Sequence, residues 1–361
     1  MKKIGTLFVV ILWAVLSIFA WISPAAETSE AERRPLAQIP ALNADTVLDG
    51  SFMADFEDYT LDQFPLRDTF RKLKSLFHYN VLRQKDNNGI YIVDGYAAKL
   101  EYPLNGDSID YAVRKFTSIY EKYLSGSKVW FAVAPDKGYY LAEANGYPAM
   151  DYAELFSRLG EALPWAEFVD LTDCLTAEDY YRTDTHWRQE RLLPAARKLC
   201  RAMGVTAPNA EDFTQTLLDR PFYGVYCGQA ALPMDPEELY ILESGLLADC
   251  TVYNHETGET TAVYDPAALE NKDLYDIFLS GSQSLLTIEN PNGTPGKELI
   301  VFRDSFGSSL VPLILQDYAT VTVVDIRYLA SGRLDQFIDF HGQDVLFLYS
   351  TLVLNNSTTL K

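Results

Sequence analysis

Histidine and cysteine are scarce in this chain, basic residues are outnumbered, and repeats are absent; each shortage excludes something. Four cysteines, Cys174, Cys200, Cys227 and Cys250, stand more than twenty residues apart, so no C-x-x-C pair offers a zinc site. Four cysteines allow three disulfide pairings, and the sequence leaves open whether they pair or stay as buried thiols. Thirty Lys and Arg against fifty Asp and Glu give a net charge of −20. That balance argues against nucleic acid, and against an anionic membrane, as the main partner. No internal repeat and no long low-complexity segment interrupts 361 residues that are 48% apolar and 13% aromatic, enough to bury a large core.

One long apolar run is present, from Ile4 to Ile22, preceded by Lys2 and Lys3. As a helix it spans roughly 28 Å, close to the hydrocarbon thickness of a bilayer. The lysines place the rest of the chain outside the cell. A cleaved signal peptide is the competing reading, but the run is long for one, and Ser23-Pro24-Ala25-Ala26 is a poor cleavage site. We therefore expect an uncleaved anchor over residues 1–23 and a polar tether over residues 24–45. An α/β domain follows over residues 46–361, with an inserted β-rich subregion at about 208–297.

The domain reads as alternating strands and helices. A helix after Asp68 carries a stripe of Phe70, Leu73, Leu76 and Phe77, expected to be buried. Lys128–Ala134, Glu167–Leu171, Leu299–Phe302, Thr320–Ile326 and Asp344–Tyr349 read as buried strands, with helices at Asp110–Leu124, Tyr152–Leu163 and Arg188–Met203. Alternation at this spacing implies a mainly parallel sheet flanked by helices.

Within it, Leu299–Phe302 runs into Arg303-Asp304-Ser305-Phe306-Gly307, and Ser309–Leu315 resumes as an apolar helix. A serine in a strand-to-helix turn stands at the carboxyl edge of a parallel sheet, the place for a nucleophile, although most such serines cap the helix. A nucleophilic serine needs a base and an orienting carboxylate. Of the four histidines, His78 lies in a helix, His255 at a hairpin tip and His341 after a helix end. His186 has Asp184 two residues before it and Trp187 after it. An isolated Asp-x-His is an ordinary loop; joined to Ser305 it completes an acyl-transfer set.

Asp184-Thr185-His186-Trp187 together with Arg303–Gly307 resembles the DHHW proteins, relatives of the alginate O-acetylation proteins within the wider SGNH hydrolase/acyltransferase group. Further blocks at Glu32–Ala37, Asp62–Asp68, Pro135-Asp136-Lys137, Tyr275–Leu279 with Gly281, and Asp325–Tyr328 follow in the same order. Thr185 departs from the family's name, and Ser282 stands where asparagine is expected. The resemblance implies an SGNH-like fold and carbohydrate O-acetyl chemistry with Ser305, His186 and Asp184 as the catalytic set; no cofactor or metal is expected.

Oxyanion donors are expected from the backbone of Ser305, Phe306 and Gly281. Lys137, Arg303, Arg327, Trp187 and Tyr328 are the candidates for substrate contact, with surface ion pairing or core packing as the competing roles. Asp304 is expected to hold the turn. The expected partners are a cell-surface polysaccharide and a membrane acyltransferase that delivers the group. A non-catalytic scaffold of an exopolysaccharide assembly is the alternative.

Overall fold

A computed structural model describes every residue except Met1, Glu30 and Pro233, and only the backbone of Lys2. The chain divides into two compact units, Met1–Tyr91 with Val225–Met234, and Ile92–Gly224 with Asp235–Lys361.

The three longest helices of the smaller unit are α1 (Lys2–Ile22), α2 (Ser51–Asp62) and α3 (Arg67–Asn80). Lys3–Ile22 is long and apolar enough to cross a membrane, a property shared by anchors and signal sequences, and none of it is buried. In the segment read as a tether, Thr28–Ser29 pairs antiparallel with Arg34–Pro35. The Arg34 guanidinium grips Asp62 at the end of α2 through two bonds of 2.8 and 2.6 Å, and Arg67 adds a contact at 3.1 Å. Arg34 holds the Asp62 carboxyl down at about 2. Leu66, at φ +58° after Pro65, breaks the chain between α2 and α3, and Asp68 lies in the first turn instead of at the cap.

Helix α3 is turned the opposite way from its sequence pattern. Phe70, Leu73, Leu76 and Phe77, expected to be buried, are 38–57% exposed. Its polar face looks inward: Arg71 Nη2 donates to Gly228 O at 2.9 Å, Ser75 Oγ to Ala230 O at 2.8 Å, and Tyr79 Oη to Ile90 O at 2.7 Å. Those carbonyls require donors, which an apolar face does not have.

The larger unit contains helices α4 (Gly106–Ile119), α5 (Tyr152–Ala162) and α6 (Leu193–Met203). Besides the short strand Tyr96–Lys99, its strands are β1 (Val129–Ala134), β2 (Glu167–Val169), β3 (Thr214–Phe222), β4 (Glu237–Glu243), β5 (Thr251–Asn254), β6 (Thr260–Thr261), β7 (Leu285–Glu289), β8 (Thr294–Arg303), β9 (Tyr318–Val324) and β10 (Asp344–Ser350). Eight of them form one sheet in the order β6-β5-β7-β9-β8-β10-β1-β2. The five from β9 to β2 are parallel, and β7, β5 and β6 extend the sheet antiparallel. Much of the expected β-rich subregion is thus continuous with the main sheet, while β3 and β4 form a separate antiparallel pair.

The period of two along β8 divides two cores. Leu299 and Val301 join the layer with α6, and Ile300 and Phe302 the layer with α4 and α5, all four at 1% exposure or less. The expected helix after Ser305 is only Gly307–Leu310 followed by a 3-10 turn, Val311–Ile314, because Pro312 has no N–H to donate to an α-helical bond. All four cysteines are free thiols, with Cys200 and Cys250 buried.

Candidate active site

Strands β8, β10 and β1 are parallel neighbours, so their carboxyl ends open on one edge, where the chain after Arg303 must turn sharply. Asp304 shapes the turn: Oδ1 accepts from Phe306 N–H at 3.0 Å and Oδ2 from Ser350 N–H at 2.7 Å. Gly307 closes it, since a Cβ there would lie 2.7 Å from Arg303 Cβ. Ser305 is left half-buried at the apex.

The second loop is pinched at its base by the bridge Tyr180–Trp187 and by Tyr181 N–H to His186 O at 3.1 Å. Buried Glu237 holds its outer part, accepting from Arg182 N–H at 2.8 Å, Thr183 N–H at 2.6 Å and Thr183 Oγ1 at 2.7 Å. Asp184 is fully buried and its Oδ1 accepts from His186 N–H at 3.0 Å and from Nδ1 at 2.6 Å. A carboxylate can only accept, so Nδ1 carries the proton and Nε2 presents a lone pair. Ser305 Oγ lies 2.8 Å from that Nε2.

Two aromatic rings flank the imidazole. Tyr275 stacks on it at 3.9 Å between centroids and 8° between planes, and Phe306 lies at 5.1 Å. Burial pushes the Tyr275 phenol well above its ordinary range, so the ring stays neutral. Its hydroxyl bonds Ser309 Oγ at 2.7 Å. Trp187 Nε1 donates to Phe306 O and Ser309 Oγ, both at 3.0 Å, and so ties the loop of the base to the turn of the serine. Neither Tyr275 nor Glu237 was singled out for the site in the sequence. Tyr275 sits in a recognisable block but its stacking needs the fold, and nothing local marks Glu237.

The structure brings Asp184, His186 and Ser305 together and distributes the remaining candidates. Trp187 is fully buried and takes the packing role. Arg303, expected at the substrate, is also fully buried: Nη2 donates to Gly281 O at 3.0 Å, and Nη1 lies 3.8 Å from Asp325 Oδ2. Lys137 is 2% exposed, and its Nζ donates to Tyr181 O at 2.8 Å, which takes it from substrate contact to support of the loop that carries Asp184 and His186. Arg327 is occupied by Asp325 at 2.6 and 2.9 Å and remains partly accessible, while Tyr328 is 50% exposed.

The expected oxyanion donors differ in the same way. Phe306 N–H is given to Asp304, and Gly281 N–H to Phe278 O at 3.1 Å. Ser305 N–H has no partner among the described residues. Leu279, Ser280 and Gly281 run at φ +53°, +54° and +74°, three left-handed residues in succession. A Cβ at Gly281 would meet Asp276 Oδ1 at 2.1 Å.

A mainly parallel sheet flanked by helices, with the serine at the carboxyl end of an inner strand and the loop of Asp184 and His186 beside it, is an SGNH-like fold. Residues 164–324, which contain Asp184, His186 and Ser305, match the model of the DHHW protein family. Among solved structures, a DHHW family protein from Eubacterium siraeum DSM 15702 aligns at a TM-score of 0.61 and 24% identity, over 76% of this chain and 95% of that one. Bacillus cereus PatB1, solved with a sulfonyl adduct, aligns at 0.57 and 18%, over 73% and 95%. The O-acetyltransferase domain of Pseudomonas putida AlgJ is more distant, at 0.46 and 14%, over 74% and 92%. No curated protein matches the sequence at a significant level.

Proposed function

We propose that this chain is an SGNH-type serine enzyme that moves acetyl groups on a cell-surface polysaccharide, held outside the cell by α1. The observation that carries the reading is the hydrogen-bonded line from Asp184 Oδ1 through His186 to Ser305 Oγ, with spans of 2.6 and 2.8 Å. A scaffold has no use for a buried carboxylate aligned on an imidazole that reaches a half-exposed serine.

In this reading Ser305 Oγ attacks the acetyl carbonyl and its proton passes to His186 Nε2. The imidazolium is stabilised by Asp184 on one side and by the neutral Tyr275 ring on its face. Collapse of the tetrahedral adduct returns that proton to the leaving oxygen and leaves an acetyl-serine. A sugar hydroxyl then attacks, His186 takes its proton, and Ser305 recovers it as the acetylated sugar departs. Ser305 N–H is the free oxyanion donor. Phe306 and Gly281 would serve only after releasing Asp304 and Phe278. Tyr328 and Arg327 are the candidate substrate contacts that solvent can reach. The proposed donor of the acetyl group is a membrane acyltransferase, and a chain anchored by α1 stays near it.

The test is full-length protein with an activated acetyl ester and deacetylated glycan, following both free acetate and acetylated sugar. Ser305→Ala and His186→Ala are each expected to lower turnover by roughly 10³-fold or more, and the double variant little further. A sulfonyl fluoride or fluorophosphonate should label Ser305 in the unaltered protein and not in Ser305→Ala. Free acetate at a rate indifferent to glycan would make the protein an esterase. Full rates in both variants would overturn the role given to Ser305 and His186, and unlabelled Ser305 with no turnover above background in the unaltered protein would turn the reading to a scaffold.

A further inference from the structure

Helix α3 presents its apolar side to solvent, and that surface has a chemistry of its own. Leu66, Phe70, Leu73 and Phe77 form one stripe and are 62, 44, 57 and 51% exposed. They are not exposed through looseness, because Arg71, Ser75 and Tyr79 bolt the opposite face to backbone carbonyls at 2.7–2.9 Å. A surface helix of a soluble protein has its stripe inward and its cations outward. Here the stripe faces out together with Lys72 and Lys74, while Arg67 and Arg71 are held against Glu32.

The charge around the stripe selects its occupant. Residues 66–85 hold six Lys and Arg against one Asp, in a chain whose net charge is −20; Arg67 and Arg71 are paired with Glu32, which leaves four cations unopposed by it. Lys72, Lys74, Arg83 and Lys85 are exposed. A second copy of this surface would bring the same cations against these and be repelled. An anionic lipid surface accepts both components, with acyl chains for the aromatic and leucine side chains and headgroups for the ammonium and guanidinium groups. The same compact unit contains α1, long and apolar enough to cross a bilayer, which ends 44 residues before α3 begins.

We propose that α3 lies in the interface of an anionic membrane, with Leu66, Phe70, Leu73 and Phe77 among the acyl chains and Lys72, Lys74, Arg83 and Lys85 on the headgroups. The site is independent of the acyl-transfer chemistry and survives if that reading fails.

The experiment places p-benzoylphenylalanine at Leu73 in the full chain, reconstituted in nanodiscs of phosphatidylglycerol and phosphatidylcholine. The discs are irradiated and the intact mass is read. Tyr253 in the larger unit, 41% exposed, carries the same probe as the control position. The expected result is a one-phospholipid adduct at position 73, at a yield at least fivefold above position 253. In discs of phosphatidylcholine alone, or with Lys72→Glu and Lys74→Glu, that yield should fall severalfold while the thermal midpoint stays unchanged. Equal yields at 73 and 253, or a yield indifferent to headgroup charge, overturn the proposal. So does a protein–protein product, which would give the face to a second copy, or a cross-link within the chain.

Discussion

In α6 of the larger unit, Ala195, Ala196, Leu199 and Met203 face inward and are at most 6% exposed. In α3 of the smaller unit, Phe70, Leu73 and Phe77 follow an equally regular helical spacing and face out. Outside α1, thirteen of the twenty exposed large apolar side chains among the described residues lie between Ile39 and Leu82, and five of the other seven are tyrosine, with a polar hydroxyl to offer water. The larger unit therefore solves its solvation problem within itself, and the smaller one leaves a surface to be covered. Periodicity identifies a face that water does not favour; it does not say what replaces the water.

The sharpest way to break this contrast is to cut the same side chain in both units. Leu299→Ala, in the fully buried stretch of β8, should destabilise the larger unit by roughly 2–5 kcal/mol in urea unfolding. Leu73→Ala should change the smaller unit by about 0.5 kcal/mol or less in the absence of lipid. Comparable losses at both would mean that the α3 face is covered after all.

A smaller effect sharpens the larger unit's claim to a built site. Tyr275→Leu removes the ring stacked on His186 and should slow acetyl-ester turnover about threefold to tenfold, the worth of one stacked aromatic pair. KM should hold, because Tyr275 acts through the imidazole. Tyr275→Phe keeps the stack and loses only the bond to Ser309, so its rate should fall less. An equal fall in both would move the effect from the ring to the hydroxyl.

The smallest effect belongs to the smaller unit. Arg34 holds Asp62 at about 2, below the ordinary carboxylate value near 3.9, so the folded state binds that proton less readily than the unfolded one. The linked stability is complete above about pH 4 and is lost as the pH falls towards 2. Because Arg34 is 41% exposed, screening limits it to about 1 kcal/mol or less. Asp62→Asn should flatten that limb of the acid-unfolding curve; an unchanged curve would show that the clasp contributes nothing in solution.

Much of the frame was legible because parallel strands buried on both faces read as continuous apolar runs, as Leu299–Phe302 does. The Asp184, His186 and Ser305 set was legible because an aspartate two residues from one of only four histidines is a local pattern. Arg303 was read as a substrate ligand because it stands beside the candidate nucleophile, and Lys137 because it ends the Pro135-Asp136-Lys137 block; only the fold shows the carbonyls that occupy them. Glu237 lies more than fifty residues from the amides it holds, so no spacing rule reaches it. The outward face of α3 was unreadable because its inner partners, the carbonyls of residues 228–230, come from a distant part of the chain.

One indole has a consequence beyond its own two bonds. His186 and Ser305 stand on loops 119 residues apart, and a gap set by two independent loops would accumulate the errors of both, as tolerances add along a chain of parts. Trp187 follows the histidine directly and bonds the carbonyl next to the serine, so the two loops share one datum. Thermal displacement of either loop carries the other along, and their 2.8 Å separation is referenced across a single rigid ring instead of around the whole sheet. Transplanting the two loops to another scaffold would therefore have to carry the indole as the gauge between them.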